Sequence, residues 1–252
     1  MASYCVANEG VCGAIARSLL LPVPPGAIFG TSDPKVPFCY GSLDFNLSGE
    51  SLSPVNPTEF IAELADVCTG VCLFDIFVMN RDRHRGNLSV DMEAEPPRLS
   101  CFDHGHALFG AIAGQAEGVL TGDDTHLSRF GANDHCLIPA LPTDEYFEGW
   151  LDRIEQLPQF QIEGFCRSAI GLGINEREAE AATECLLFRQ NRIRRIVENN
   201  KDKFRAIKSQ IAAEQYAEVS RRKIYARLIP EGGAQYRSNY LLGQSSRGTV
   251  FW

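Results

Sequence analysis

The stretch Asn80-Arg81-Asp82-Arg83-His84-Arg85-Gly86-Asn87, followed sixteen residues after Asn87 by Asp103-His104-Gly105, decides the fold. On loops that carry out phosphoryl transfer, an Asp orients the attacking hydroxyl, an Asn five residues later binds a metal, and a further Asp holds the same metal. Asp82, Asn87 and Asp103 have that order and spacing. Between the two motifs, the short apolar runs Leu88-Ser89-Val90 and Leu99-Ser100-Cys101-Phe102 read as strands. Pro96-Pro97 marks the turn between them, so residues 88–102 are predicted to form a β-hairpin. Such a hairpin folds Asn87 and Asp103 back onto one edge.

On the N-terminal side, a helix is predicted over about 58–79, with Pro57 at its first turn and Phe60, Leu64, Val67, Leu73, Ile76 and Phe77 on its apolar face. Gly70 is a possible interruption. Gly70 to Met79 is the most apolar run, too short to span a bilayer and broken by Asp75. Residues 41–57, rich in Ser, Gly and Pro, form a connector. Short strands are predicted at Ala27–Phe29 and Phe38–Tyr40, after an amphipathic helix over 8–20 that is capped by Asn8 and ended by Leu21-Pro22-Val23-Pro24. On the C-terminal side, 104–143 is Gly-rich and irregular. Helical patterning returns at about 144–155, 159–171, 176–198 and 201–227, and a Gly- and Ser-rich tail ends in Val250-Phe251-Trp252.

Composition bounds the answer. Of 252 residues, 44% are hydrophobic and 22% charged, which is globular rather than disordered. No basic start leads into an apolar core, so no signal peptide is expected, and the nine cysteines, none in a C-x-x-C pair, read as buried thiols of a cytoplasmic protein. Residues 1–200 carry a net charge of −14 and residues 201–252 carry +6, giving −8 in all. The basic end lacks interleaved aromatic residues and reads as a solvated helix face, not as a nucleic-acid platform.

Once these residues are aligned, the chain resembles the HipA-like kinase domain family, within the superfamily that includes protein kinases and the phosphoinositide 3- and 4-kinases. The resemblance rests on Asn8-Glu9, Leu21-Pro22-Val23-Pro24, Gly41-Ser42, Asn80-Arg81-Asp82-Arg83-His84-x-Gly86-Asn87 and Phe102-Asp103-His104-Gly105, and covers roughly residues 4–200. It implies an α+β, protein-kinase-like fold with a mainly helical C-lobe, a catalytic β-hairpin and a reduced N-terminal subdomain. The expected divisions are 1–55 for the reduced N-lobe and connector, 56–212 for the C-lobe, and 213–252 for the helix end and tail. It implies ATP- and Mg²⁺-dependent transfer to a hydroxyl-bearing acceptor, a protein or a small molecule. Asp82 and His84 would be catalytic. Asn87 and Asp103 would hold the metal and, with Glu9, the nucleotide. Glu9 would stand where the family's helix Glu pairs with an ATP-binding Lys.

This chain departs from the family at that point. Eight residues precede Glu9 and none is Lys, while Lys35, the only lysine before residue 200, follows the helix. A fragment, a pseudokinase acting as a protein-binding module, and a chain completed by a partner or by a second copy in a homodimer all fit. Loss of upstream strands would uncover an apolar face around Val11, Ile15, Val23 and Ile28. A rival from another class is a metal-dependent hydrolase built from His84, His104, His106, His126 and His135 with Asp82, Asp103, Asp123 and Asp124.

Overall fold

In the computed structural model, helix α1 (Cys5–Ser18) leads into the antiparallel pair β1 (Gly26–Gly30) and β2 (Phe38–Ser42), in register Ile28 to Tyr40. Helix α2 (Ala65–Phe77) precedes the Asp82 loop, and the hairpin β3 (Leu88–Asp91) and β4 (Arg98–Cys101) follows it, pairing Leu88 with Cys101 and Asp91 with Arg98. Helices α3 (Phe147–Glu155), α4 (Gln159–Ser168), α5 (Glu176–Gln190) and α6 (Ile193–Asn199) complete the described elements. The structure describes residues 4–43, 54–110 and 135–210, together with Ala116, Leu120 and Glu218. The chain divides into two compact units, residues 1–208 and 209–252, and every element named here lies in the first. The expected helix end beyond 210, the tail, His126, Asp123 and Asp124 lie outside the described residues. Among the described residues, no helix is long and apolar enough to cross a membrane.

The architecture is α+β and kinase-like, with helices packed around a central one, the β3–β4 hairpin, and a small N-terminal pair of strands. Helix α2 is that centre. Cys68 through Phe77 are buried without a break, so the helix shows no polar face, as a helix surrounded by others must. It packs against α3, α5 and α6. Gly70 does not interrupt it. A Cβ there would lie 2.5 Å from the Trp150 ring, so glycine lets α3 come close, while the Trp150 indole N–H reaches the Asp66 carboxylate at 2.7 Å.

Several boundaries differ from expectation for local reasons. Helix α2 starts at Ala65, not near 58. Pro57–Glu59 forms a 3₁₀ turn instead, with Asn56 Nδ2 bound to Glu59 Oε1 at 2.9 Å. The single helix expected over 176–198 is two, because the chain turns at Asn191-Arg192, where Arg192 (φ −128°) starts α6. The first of them has a capping box between Asn175 and Glu178. Helix α1 starts at Cys5, so Asn8 lies inside it and caps nothing. Val11 and Ile15, expected on an uncovered face, are fully buried because α1 packs on α4. The exposed apolar side chains of this region are Leu20, Phe29, Val36 and Leu43.

Helices α1 and α2 end alike. Leu21 N–H bonds to the Ala16 carbonyl and Leu20 N–H to that of Arg17; Asn80 N–H bonds to the Asp75 carbonyl and Met79 N–H to that of Ile76. These are Schellman turns, but with Leu20 (φ +61°) and Met79 (φ +57°) at the left-handed position that glycine usually fills. The second turn aims the chain at Asn80. Arg189 of α5 caps the same end, donating from Nε to the Phe77 carbonyl at 2.8 Å and from Nη2 to that of Ile76 at 2.5 Å. A buried cation at a helix C-terminus suits the macrodipole, although burial pulls the Arg189 pKa down to about 10.

Candidate active site

Arg83 is the hub from which the site is built. It and Asp75 are completely buried. Its Nε donates to Asp75 Oδ2 at 2.8 Å and Nη2 to Asp75 Oδ1 at 3.1 Å, a two-pronged pairing suited to the guanidinium fork. Its Nη1 donates to the carbonyls of Asn87, at 3.1 Å, and of Phe102. One guanidinium therefore ties the central helix to the residue that ends the Asp82 loop and to the residue just before Asp103. Asp75 also accepts from Asn80 Nδ2 at 2.8 Å and from His135 Nε2 at 3.0 Å. Burial alone would raise the Asp75 carboxyl, but Arg83 and His135 hold it well below the usual carboxylate range. The His135 ring is fixed as its Nε2–H tautomer, because Nδ1 accepts from the backbone N–H groups of Leu137 and Ile138, both at 3.2 Å. Burial lowers its pKa.

The loop pinned in this way presents Asp82 to solvent. Asp82 N–H is held by Asn80 Oδ1 at 3.1 Å, and its carbonyl accepts from Asn87 Nδ2 at 2.8 Å. That bond fixes the Asn87 amide and turns Oδ1, a hard oxygen donor of the kind magnesium takes, away from Asp82. The Asp82 carboxylate stands between two histidines, with Oδ2 at 3.4 Å from His106 Nδ1 and Oδ1 at 4.0 Å from His84 Nε2. His84 Nδ1 accepts from Gly86 N–H at 3.0 Å, so the proton of the neutral ring sits on Nε2, toward Asp82.

Across the cleft, Glu9 Oε1 accepts from His104 N–H at 2.6 Å, and Glu9 Oε2 lies 3.3 Å from His104 Nδ1. Asp103 adopts the left-handed conformation (φ +59°), with Gly105 N–H at 3.3 Å from its Oδ1. Gly105 has no room for a side chain, since a Cβ would lie 2.7 Å from Cys5 Sγ. Glu9, Tyr40, Ser42, Phe102, Asp103 and His104 line a cleft of about 250 Å³ between the β1–β2 pair and the end of the hairpin.

The expected residues thus fall into two groups joined through Arg83. Asp82, His84 and Asn87 share one loop, and Glu9 and Asp103 share the cleft wall. Three residues already named in the sequence take roles that were not foreseen. Arg83 looked like a spacer in its motif, yet a lone Asp75 in an apolar helix demanded a buried partner. His106 meets Asp82 across a fold-dependent contact that local sequence does not show. Asn8 holds the segment after Asp103. For the hydrolase alternative, His104 and His135 are engaged with Glu9 and Asp75, and among the described residues no three His, Cys, Asp or Glu side chains gather as metal ligands.

The helical unit, the β3–β4 hairpin and the small N-terminal strands define a kinase-like fold. Among solved structures, the Helicobacter pylori proinflammatory kinase CtkA is similar to this chain, with a TM-score of 0.54 and 14% identity over 79% of this chain and 84% of that one. At that identity the likeness is one of fold. No protein-family model matches the chain, and no curated protein does.

Proposed function

We propose that this chain is a HipA-like phosphotransferase that moves a phosphoryl group from ATP, with Mg²⁺, to a hydroxyl acceptor. One observation carries the proposal: the Arg83 guanidinium holds the carbonyls of both Asn87 and Phe102, so the strand ends bearing Asn87 and Asp103 are pinned side by side while Asp82 is left open to solvent. Asp82 accepts the proton of the attacking hydroxyl. His84, with its proton on Nε2, donates to a phosphoryl oxygen and does not act as base. Asn87 Oδ1 and the Asp103 carboxylate hold the metal, which when bound neutralises charge on the phosphate oxygens.

A second reading, a non-catalytic binding module, is favoured by the state of Glu9. Its carboxylate is taken up by His104, and Lys35 sits exposed in the β1–β2 turn, its backbone N–H on Asp33 Oδ1 at 2.8 Å. Calorimetry with ATP, with and without Mg²⁺, and transfer from γ-labelled ATP to the protein itself or to water test both. Binding is expected to be weak and to need Mg²⁺. Asp103→Ala should abolish it, and Asp82→Ala should keep binding within about threefold while removing transfer. Binding that ignores both Mg²⁺ and Asp103 would overturn the phosphotransferase reading; Mg²⁺-dependent binding with no transfer in the wild type would favour the binding module.

A further inference from the structure

Asp103 is held from both sides. Before it, the Phe102 carbonyl is fixed by Arg83. After it, two adjacent residues of α1 supply the hydrogen bonds that tie the chain to that helix. Glu9 Oε1 takes His104 N–H and Oε2 faces His104 Nδ1. Asn8 Nδ2 donates to the carbonyls of Gly105 at 2.7 Å and Gly110 at 3.0 Å, while Asn8 Oδ1 accepts from Phe109 N–H at 2.9 Å. Asn8 and Glu9 are buried and His104 is fully so. His104 Nε2 is buried with no hydrogen-bond partner among the described residues, so the proton that can make a bond is the one on Nδ1, facing Glu9. A non-glycine residue in the left-handed region between two such anchors marks a conformation imposed by its surroundings.

We propose that Asn8 and Glu9 are positioning residues for the metal-binding loop, and that Glu9 acts as a hydrogen-bond acceptor for His104, not as the counter-charge of a lysine. The proposal rests on the phosphotransferase reading for its metal, and on this chain's own hydrogen bonds for the clamp. A counter-charge and an acceptor respond differently to Glu9→Gln. The amide oxygen still accepts His104 N–H, the bond that fixes the backbone after Asp103, whereas the contact with Nδ1 is weakened, because an imidazole proton moved to Nε2 would be buried without an acceptor. The charge is lost and the clamp survives.

The full chain is titrated with Mg²⁺ at a fixed concentration of a fluorescent ATP analogue. Glu9→Ala should move the Mg²⁺ midpoint upward by roughly tenfold or more, the usual cost of losing a group that supports a metal ligand. Glu9→Gln should stay within about threefold of wild type. Gln as damaging as Ala, or Ala without effect, would overturn the proposal. If Glu9→Ala fails to fold, Asn8→Ser, too short to reach Gly105 and Gly110, is expected to give the same upward shift, and its absence counts against the clamp. Amide hydrogen exchange at His104 reads the clamp without nucleotide: protection should fall in Glu9→Ala and persist in Glu9→Gln, and equal protection in all three proteins refutes it. A wild type with no Mg²⁺ dependence but with the expected exchange pattern would defeat the phosphotransferase reading and leave the clamp standing.

Discussion

Asp75→Asn should be among the most damaging single-atom changes in this protein. The carboxylate accepts four hydrogen bonds in a site without solvent, from Asn80 Nδ2, Arg83 Nε, Arg83 Nη2 and His135 Nε2. An asparagine offers one acceptor oxygen and turns its NH₂ toward groups that are themselves donors. It also leaves the Arg83 charge buried and unpaired. Breaking a buried pair by removing one partner costs about 3–5 kcal/mol. For a unit of this size each kcal/mol lowers Tm by roughly 2–4 °C, so a fall of roughly 6–20 °C is expected. The pH dependence has a definite sign. The folded Asp75 carboxyl lies below its unfolded value, so its stabilisation is complete above about pH 4 and is lost only as the pH falls well below that. His135 is also lowered, so its share is complete above about pH 6.5 and declines as the pH falls toward the folded value. Thermal melts followed by circular dichroism between about pH 4 and 8 measure the His135 share, and extending them to about pH 2 measures that of Asp75. A variant melting within about 2 °C of wild type at pH 7 would refute the argument that this pair is dry and essential.

Leu20→Asn should raise stability by about 0.5–1 kcal/mol, because leucine pays about 1–2 kcal/mol in the left-handed region and this one, 82% exposed, buries almost nothing; an unchanged or lower denaturant midpoint would count against the Schellman assignment. Gly70→Ala places a methyl 2.5 Å from the Trp150 ring and should cost about 1–3 kcal/mol by overpacking, read by denaturant unfolding, whereas a gain would mean that helix propensity outweighs the contact. Exposed Phe29 on β1 and Val36 in the β1–β2 turn should support self-association, seen by light scattering and removed by Phe29→Ser, and a strict monomer at high concentration would exclude it.

The Asp82 loop and the hairpin were legible because their residues are local and regular. The predicted strands match the observed ones to within one or two residues, since two short apolar runs about a Pro-Pro turn leave few alternatives. The central helix was legible for its apolar run, but its start was not, because Pro57 fits a 3₁₀ turn as well as an α-helix. Asn8 shows the limit of local rules. An Asn before an apolar periodic run is a good cap on sequence grounds, yet its three partners lie about a hundred residues away. His106 was unreadable for a similar reason, whereas Arg83 was half visible through the unpaired Asp75.

The Asp75, Asn80, Arg83 and His135 cluster also constrains how this sequence can diverge. Its four members come from a helix, a loop and a distant segment, and Asn80, Arg83 and His135 all converge on the one carboxylate of Asp75. Substitutions at these positions should be strongly non-additive, with the second loss costing far less than the first because the damage is already done. Neutral drift through single steps is then blocked, and a lineage replacing this cluster must cross by paired changes or by a prior gain in stability elsewhere. Epistasis of that kind ties positions 75, 80, 83 and 135 into one heritable unit, although no three of them are adjacent in the chain.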